Sequence, residues 1–295
     1  MAKELSGIIE ENKKKIKENL RIEDMGSEPE SLIDEYVKKI KSIEDTKDII
    51  YDEKLWTFIL AAGYAMSGPK GVSDLFCELT DCKTRETKTS LGICLEGRPQ
   101  SPRKGEDRSH IDLAIGDFEK EDATKSGIKL IEHNSSFRQF VFCEMKWYSD
   151  ISVKTAKDKR RNQLTRIIES ALIFNKDPIR HHENICVSFV APALFMNSEA
   201  KSRLYRYKLD EYLTNGNGIN GGAVLNDIKQ EYGYQPRGGK EQKKLLNENI
   251  NFLKLKSLAY EDLIENMKDE PKKYITSFMK IHVDEQLREA HQIYK

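Results

Sequence analysis

Two short runs of this chain carry charge where a strand would normally carry only apolar side chains. One is His110-Ile111-Asp112-Leu113-Ala114-Ile115, the other Phe140-Val141-Phe142-Cys143-Glu144-Met145-Lys146. Both are rich in β-branched or aromatic residues and read as strands. Side chains alternate along a strand with a period of two, so Glu144 and Lys146 point to the same side of it. Pairing the two strands brings Asp112 to them. Two carboxylates and an amine are what metal-assisted phosphodiester cleavage requires. Charge inside an apolar strand is costly unless it is paired or binds a metal, so these exceptions mark a candidate site.

The elements that must position these residues can be read from either side of them. Residues 1–45 read as two polar, lysine-rich helices broken near Met25 to Pro29, with Leu32, Ile33, Tyr36, Val37 and Ile40 as an apolar stripe. A helix opens at Glu53 and is stopped near Ser67 by Gly68-Pro69. Strands are expected over Thr89–Glu96, Ser109–Phe118, Gly127–His133 and Gln139–Tyr148, with a Pro/Gly/charge-rich loop from Gly97 to Arg108. A helix from about Thr155 to Asn175 follows. Its Leu164, Ile167, Ile168, Ala171 and Leu172 recur at helical spacing. Glu183–Ala193 is a near-continuous apolar strand of the kind covered on both faces. Beyond Pro192 come loops at Asn215–Gly218, Gly221-Gly222 and Gln235–Lys240, then helical stretches over Glu241–Met267 and Pro271–Ile293.

Helix, a meander with Asp112 on one strand and Glu144-x-Lys146 on another, then helix and strand: this order resembles the PD-(D/E)xK nuclease superfamily, which includes type II restriction enzymes and junction resolvases. The resemblance spans about Tyr51 to Ala193. Ile111 stands where proline is common, and the long gap from Asp112 to Glu144 needs the extra Gly127–His133 strand or a loop. Glu53 matches the glutamate that many members carry on the preceding helix, and Gln163 a position that is often polar.

The resemblance implies an α/β fold: a restriction-endonuclease-like core over residues 46–195, a central mixed sheet flanked by helices. Helical segments are added at both ends, residues 1–45 and 196–295, the latter for target recognition or dimerisation. It implies a metal-dependent endonuclease acting on double-stranded DNA, in a restriction or related defence role. A repair or junction-resolving nuclease, or a non-catalytic nuclease-like scaffold, is the alternative. The cofactor would be Mg²⁺, with Mn²⁺ able to substitute. Asp112, Glu144 and the Met145 carbonyl would hold the hard, oxygen-seeking ion. Lys146 would orient water or offset phosphate charge, Glu53 would assist, and Gln163 would act from behind them.

Phosphate contacts are expected from Lys154, Lys157, Lys159, Arg160, Arg161 and Arg166 around the following helix, and from Arg103, Lys104 and Arg108 before the Asp112 strand. Each candidate has a plainer reading. Glu53 equally reads as a helix N-terminal acid favoured by the dipole, the basic run as a solvated face, His110 as a surface histidine, and Trp56 and Trp147 as core.

Bulk properties narrow the field. The chain has 295 residues, 38% hydrophobic and 33% charged, with 49 basic and 49 acidic side chains. A neutral balance argues against a protein that merely coats nucleic acid. The longest apolar run near the amino end, Leu55 to Met66, is too short to cross a bilayer. Cys77, Cys82, Cys94, Cys143 and Cys186 form no CxxC pair and read as reduced thiols. The expected setting is therefore cytoplasmic, without a membrane partner, and paired strand cutting makes a homodimer the expected assembly.

Overall fold

Five strands form one mixed sheet in the order β1-β2-β5-β6-β7. They are β1 (Gly92–Gly97), β2 (Ile111–Gly116), β5 (Phe140–Met145), β6 (Ile185–Ala191) and β7 (Leu253–Ala259), with a separate hairpin of β3 (Phe118–Lys120) and β4 (Ile128–Leu130). The computed structural model describes residues 2–20, 29–43, 49, 52–81, 91–104, 110–120, 127–131, 139–151, 162–174, 185–196, 203–214, 218–229 and 235–282. Three helices lead in: α1 (Ala2–Glu11), α2 (Lys13–Asn19) and α3 (Pro29–Lys41). Next come α4 (Glu53–Ala65), α5 (Gly68–Thr80) and, after β5, α6 (Gln163–Phe174). The rest are α7 (Ala193–Met196), α8 (Leu204–Tyr212), α9 (Gly221–Lys229), α10 (Gly239–Asn249), α11 (Tyr260–Glu265) and α12 (Asp269–His282).

The strands β1, β2 and β5 pair antiparallel, whereas β5, β6 and β7 run parallel. A parallel pair needs a crossover, and α6 supplies the one between β5 and β6. Helices cover both faces, which is why β5 and β6 are buried along their whole length. On one face Ser188 of β6 donates to the Leu79 carbonyl of α5 at 2.6 Å. On the other Phe142 of β5 packs edge-on against Phe174 of α6, ring centroids 4.9 Å apart. Trp56, Trp147, Phe142 and Phe189 are among the largest fully buried side chains.

Several expectations need correction. The Gly68-Pro69 pair ends α4 as expected, the helix stopping at Ala65, but the same pair also opens a further helix, α5, beyond the expectation. Gly68 takes a positive φ of 71° and Pro69 stands in the first turn of α5, where a missing N–H costs nothing. The expected helix over Glu241–Met267 is instead α10, a 3₁₀ turn, β7 and α11. β7 carries the signature that was passed over: Leu253 and Leu255 are buried, and Lys254 between them is exposed. The last hundred residues thus contribute a strand to the central sheet. The Gly127–His133 segment forms β4 but joins the side hairpin. Helix α8 fits the expected helical character of residues 196–295, whereas α9 starts at the Gly221-Gly222 pair expected as a loop. Of the cysteines, Cys94, Cys143 and Cys186 are buried and Cys77 is half-buried, all with free thiols; Cys82 lies outside the described residues. Among the described residues no helix is long and apolar enough to cross a membrane.

Candidate active site

Strand register brings the acidic residues together. Leu113 stands opposite Cys143 and Ala114 opposite Phe142, so one further step places Asp112 opposite Glu144. Directly opposed residues of an antiparallel pair share a face, with Cα atoms about 4.5–5.5 Å apart. Glu144 is 2% exposed and Asp112 half-buried. β5 ends at Met145, whose N–H donates to Asp112 Oδ2 at 2.9 Å. The Lys146 N–H then donates to the Val190 carbonyl at 2.8 Å, which keeps the chain on β6. Lys146 is 3% exposed, and its Nζ lies 2.9 Å from Glu144 Oε1 and 3.1 Å from Glu53 Oε2.

Glu53 arrives from α4. The Asp52 side chain caps that helix by accepting from the Leu55 N–H at 3.1 Å. The Trp56 ring stacks on Trp147, centroids 4.1 Å apart and 7° from parallel, fixing the start of α4 against the segment that follows β5. Glu53 Oε1 accepts from the Trp147 N–H at 3.5 Å and from the Ser149 hydroxyl. The same segment is pinned by Asp150, whose carboxylate accepts from the Leu204 and Tyr205 N–H groups at 2.6 and 3.2 Å and so caps α8. Arg203 lies 4.0 Å over the Phe195 ring and donates to the Tyr148 carbonyl.

The electrostatics of the group are unbalanced. Burial pushes the Asp112 carboxyl well up, Glu144 adds to this, and Lys146 and the Met145 N–H oppose it. Burial also raises Glu144 against the pull of Lys146, with Arg166 likewise favouring its charge. Burial alone would lower Lys146, but Glu144, Asp112 and Glu53 outweigh it and hold the amine protonated. Among the described residues three carboxylates therefore gather around the Lys146 ammonium, with the Arg166 guanidinium acting on Glu144 as well.

Such a set suits a hard cation. Magnesium takes oxygen ligands, commonly one or two carboxylates with waters and substrate phosphate completing the shell. Asp112 and Glu144 are the carboxylates available, because Glu53 is turned to Lys146, Trp147 and Ser149. Among the described residues no group of three or more His, Cys, Asp or Glu side chains is arranged to hold an ion by itself. The remaining ligands would have to come from the Met145 carbonyl, water and substrate.

The other sequence candidates fall out unevenly. Gln163 is the first residue of α6 and half-buried. Arg166, one turn on, is near enough for its charge to act on Glu144. Arg103 is no free phosphate ligand: it is buried, with Nε 3.2 Å from Glu169 Oε2 and Nη2 donating to the Ile228 carbonyl at 2.9 Å. A buried guanidinium needs a buried partner, and Glu169 lies 66 positions away, beyond the reach of local patterning. Lys104 is exposed. Lys154, Lys157, Lys159, Arg160, Arg161 and Arg108 lie outside the described residues. Trp56 and Trp147 are core. Sequence reasoning missed Ser149, and also Glu96, which gathers Lys54 and His110 beside Asp112. The available hint was the spacing of His110, just before β2, two positions from Asp112.

No family model matches the chain, and neither a curated protein nor a solved structure does.

Proposed function

We propose that this protein is a magnesium-dependent endonuclease with a restriction-endonuclease-like core, hydrolysing phosphodiester bonds of double-stranded DNA in a restriction or related defence role. One observation carries the reading: Glu53, Asp112, Glu144 and Lys146, from three separate elements, meet at one end of the sheet, three carboxyl groups around one amine among the described residues. Asp112 and Glu144, with the Met145 carbonyl, would hold Mg²⁺ or Mn²⁺. When bound, the ion supplies positive charge to the phosphoryl oxygens and acidifies a water. Lys146 stays protonated between its carboxylates and presents its ammonium to that water or to the scissile phosphate. Glu53 fixes the amine by accepting from it, and Ser149 and the Trp147 N–H fix Glu53. From α6 Arg166 acts on Glu144 through its charge, and Gln163, one turn earlier, would orient the amine or a phosphate.

The test is incubation of the purified protein with supercoiled plasmid, with and without Mg²⁺, beside Glu144→Ala and Lys146→Ala. Cleavage that needs the ion and falls by about a thousandfold or more in both variants is expected, as for groups acting directly on the transition state. Cutting that persists in either variant removes the assignment. The ion pair between Lys146 and Glu144 favours a second reading, a nuclease-like scaffold in which the amine itself neutralises the site. In that case the wild type binds DNA but takes up neither Mg²⁺ nor Mn²⁺.

A further inference from the structure

A row of acids crosses three strands at the site. Leu95 stands opposite Leu113 and Gly97 opposite Ile111, so Glu96 of β1 falls opposite Asp112, which in turn falls opposite Glu144. Glu96 differs from the other two. Its side chain is only 15% exposed, yet its Oε2 accepts from two exposed groups: Lys54 Nζ at 3.1 Å, 63% exposed, and His110 Nδ1 at 3.2 Å, 45% exposed. Glu96 also has a φ of 54°, one of two positive values at non-glycine residues among those described. Left-handed backbone at a non-glycine residue is unfavourable and persists only where the surroundings hold it. Burial would raise the Glu96 carboxyl, but His110 and Lys54 together hold it below the usual range, so it is ionised.

Consecutive residues of α4 straddle Asp112. Glu53 reaches Lys146 at the end of β5, and Lys54 reaches Glu96 at the end of β1. Adjacent strands lie about 4.8 Å apart, so the Glu96 group is one strand step from Asp112 and two from Glu144. That is the scale of one to three nucleotide rises of about 3.4 Å along one DNA strand. A phosphate flanking a scissile phosphate at Asp112 and Glu144 would thus pass the rim where Lys54 and His110 stand.

We propose that Glu96 is a positioning residue that holds Lys54 and His110 at the rim as a grip for a phosphate one to three nucleotides from the scissile one. The inference rests on the nuclease reading and adds to it the β1 flank of the cleavage site. Exposed lysines usually sweep many rotamers; tethering to a buried carboxylate removes most of that freedom before DNA arrives.

The test measures binding of a 20-base-pair duplex by fluorescence anisotropy, in Ca²⁺ to suppress cutting, across a salt series. Wild type is compared with Lys54→Ala and Glu96→Gln, with cleavage of plasmid in Mg²⁺ followed in parallel. Losing one phosphate contact lowers the slope of log affinity against log salt by about one, and Lys54→Ala is expected to do so with affinity about five- to tenfold weaker. Glu96→Gln separates positioning from simple charge. Removing an anion beside DNA should tighten binding if Glu96 only contributes charge, whereas release of the tethered Lys54 and His110 side chains should weaken it several-fold and lower the slope. An unchanged slope in Lys54→Ala, or tighter binding in Glu96→Gln, overturns the grip while wild-type cleavage leaves the nuclease reading standing. A wild type that neither binds nor cuts DNA overturns both.

Discussion

Two buried ion clusters lie on the α6 side of the molecule, and they are built on opposite plans. At Arg103 and Glu169 one guanidinium meets one carboxylate, with a backbone carbonyl from Ile228 taking a further donor. Charge is balanced and both partners are buried. At the end of β5 one ammonium meets the carboxylates of Glu53 and Glu144 with Asp112 beside them. The first arrangement holds the loop after β1 onto α6. Among the described residues the second holds more carboxyl groups than amines. On the proposed reading, the contrast separates a bond made for structure from a site made to receive positive charge.

Mutations should respond accordingly. Glu169→Ala leaves Arg103 buried without its carboxylate and should cost about 3–5 kcal/mol of stability, read by urea unfolding. A loss below about 1 kcal/mol would mean the pair is not the structural anchor described. Asp112→Asn should do the reverse. It removes a carboxylate from the anionic cluster while its amide oxygen can still accept from the Met145 N–H, so stability should rise by about 1–2 kcal/mol while cleavage is lost, the usual trade between stability and function. A variant as destabilised as Glu169→Ala would erase the distinction between the clusters.

The pH dependence follows from the raised carboxyls. Below about pH 4 Asp112 is protonated in both folded and unfolded chains. As pH rises, the unfolded chain releases its proton first, because burial and Glu144 hold the folded pKa up. The folded state therefore loses stability from about pH 4 upward until the folded group also ionises. Thermal melts of wild type and Asp112→Asn across this range should converge at low pH and separate at neutral pH; parallel curves would contradict the raised carboxyl. The smallest effect is expected from Ser149→Ala. It removes one donor to Glu53 at an exposed position, so stability should change by less than about 1 kcal/mol, with cleavage slowed several-fold through a less firmly held Lys146.

What could be read from the sequence divides along the same physical line. Local signals sufficed for β2, β5 and β6, whose apolar, β-branched runs need only period and composition. They also sufficed for α4 and the buried stripe of α6. Asp112, Glu144 and Lys146 stood out because charge inside such runs is locally anomalous. Partners joined by tertiary packing were not legible. Arg103 looks like any loop arginine until Glu169 is brought beside it, and Glu96 looks like a strand-end acid until register sets it opposite Asp112. β7 was misread because Leu-Lys-Leu-Lys within a lysine- and leucine-rich stretch satisfies helical and strand periods over so short a length. Gly68-Pro69 marks the end of α4 correctly, and what the local signal leaves open is that the same proline begins α5.

The central claim is that the acidic cluster awaits a divalent cation, and calorimetric titration of Mg²⁺ into wild type and Asp112→Asn tests it most directly. Saturable binding by the wild type, accompanied by a rise in melting temperature that reflects ligand stabilisation of about 2.7 kcal/mol at a hundredfold excess over Kd, and loss of both in Asp112→Asn, is the expected result. A wild type that binds neither Mg²⁺ nor Mn²⁺ would contradict it.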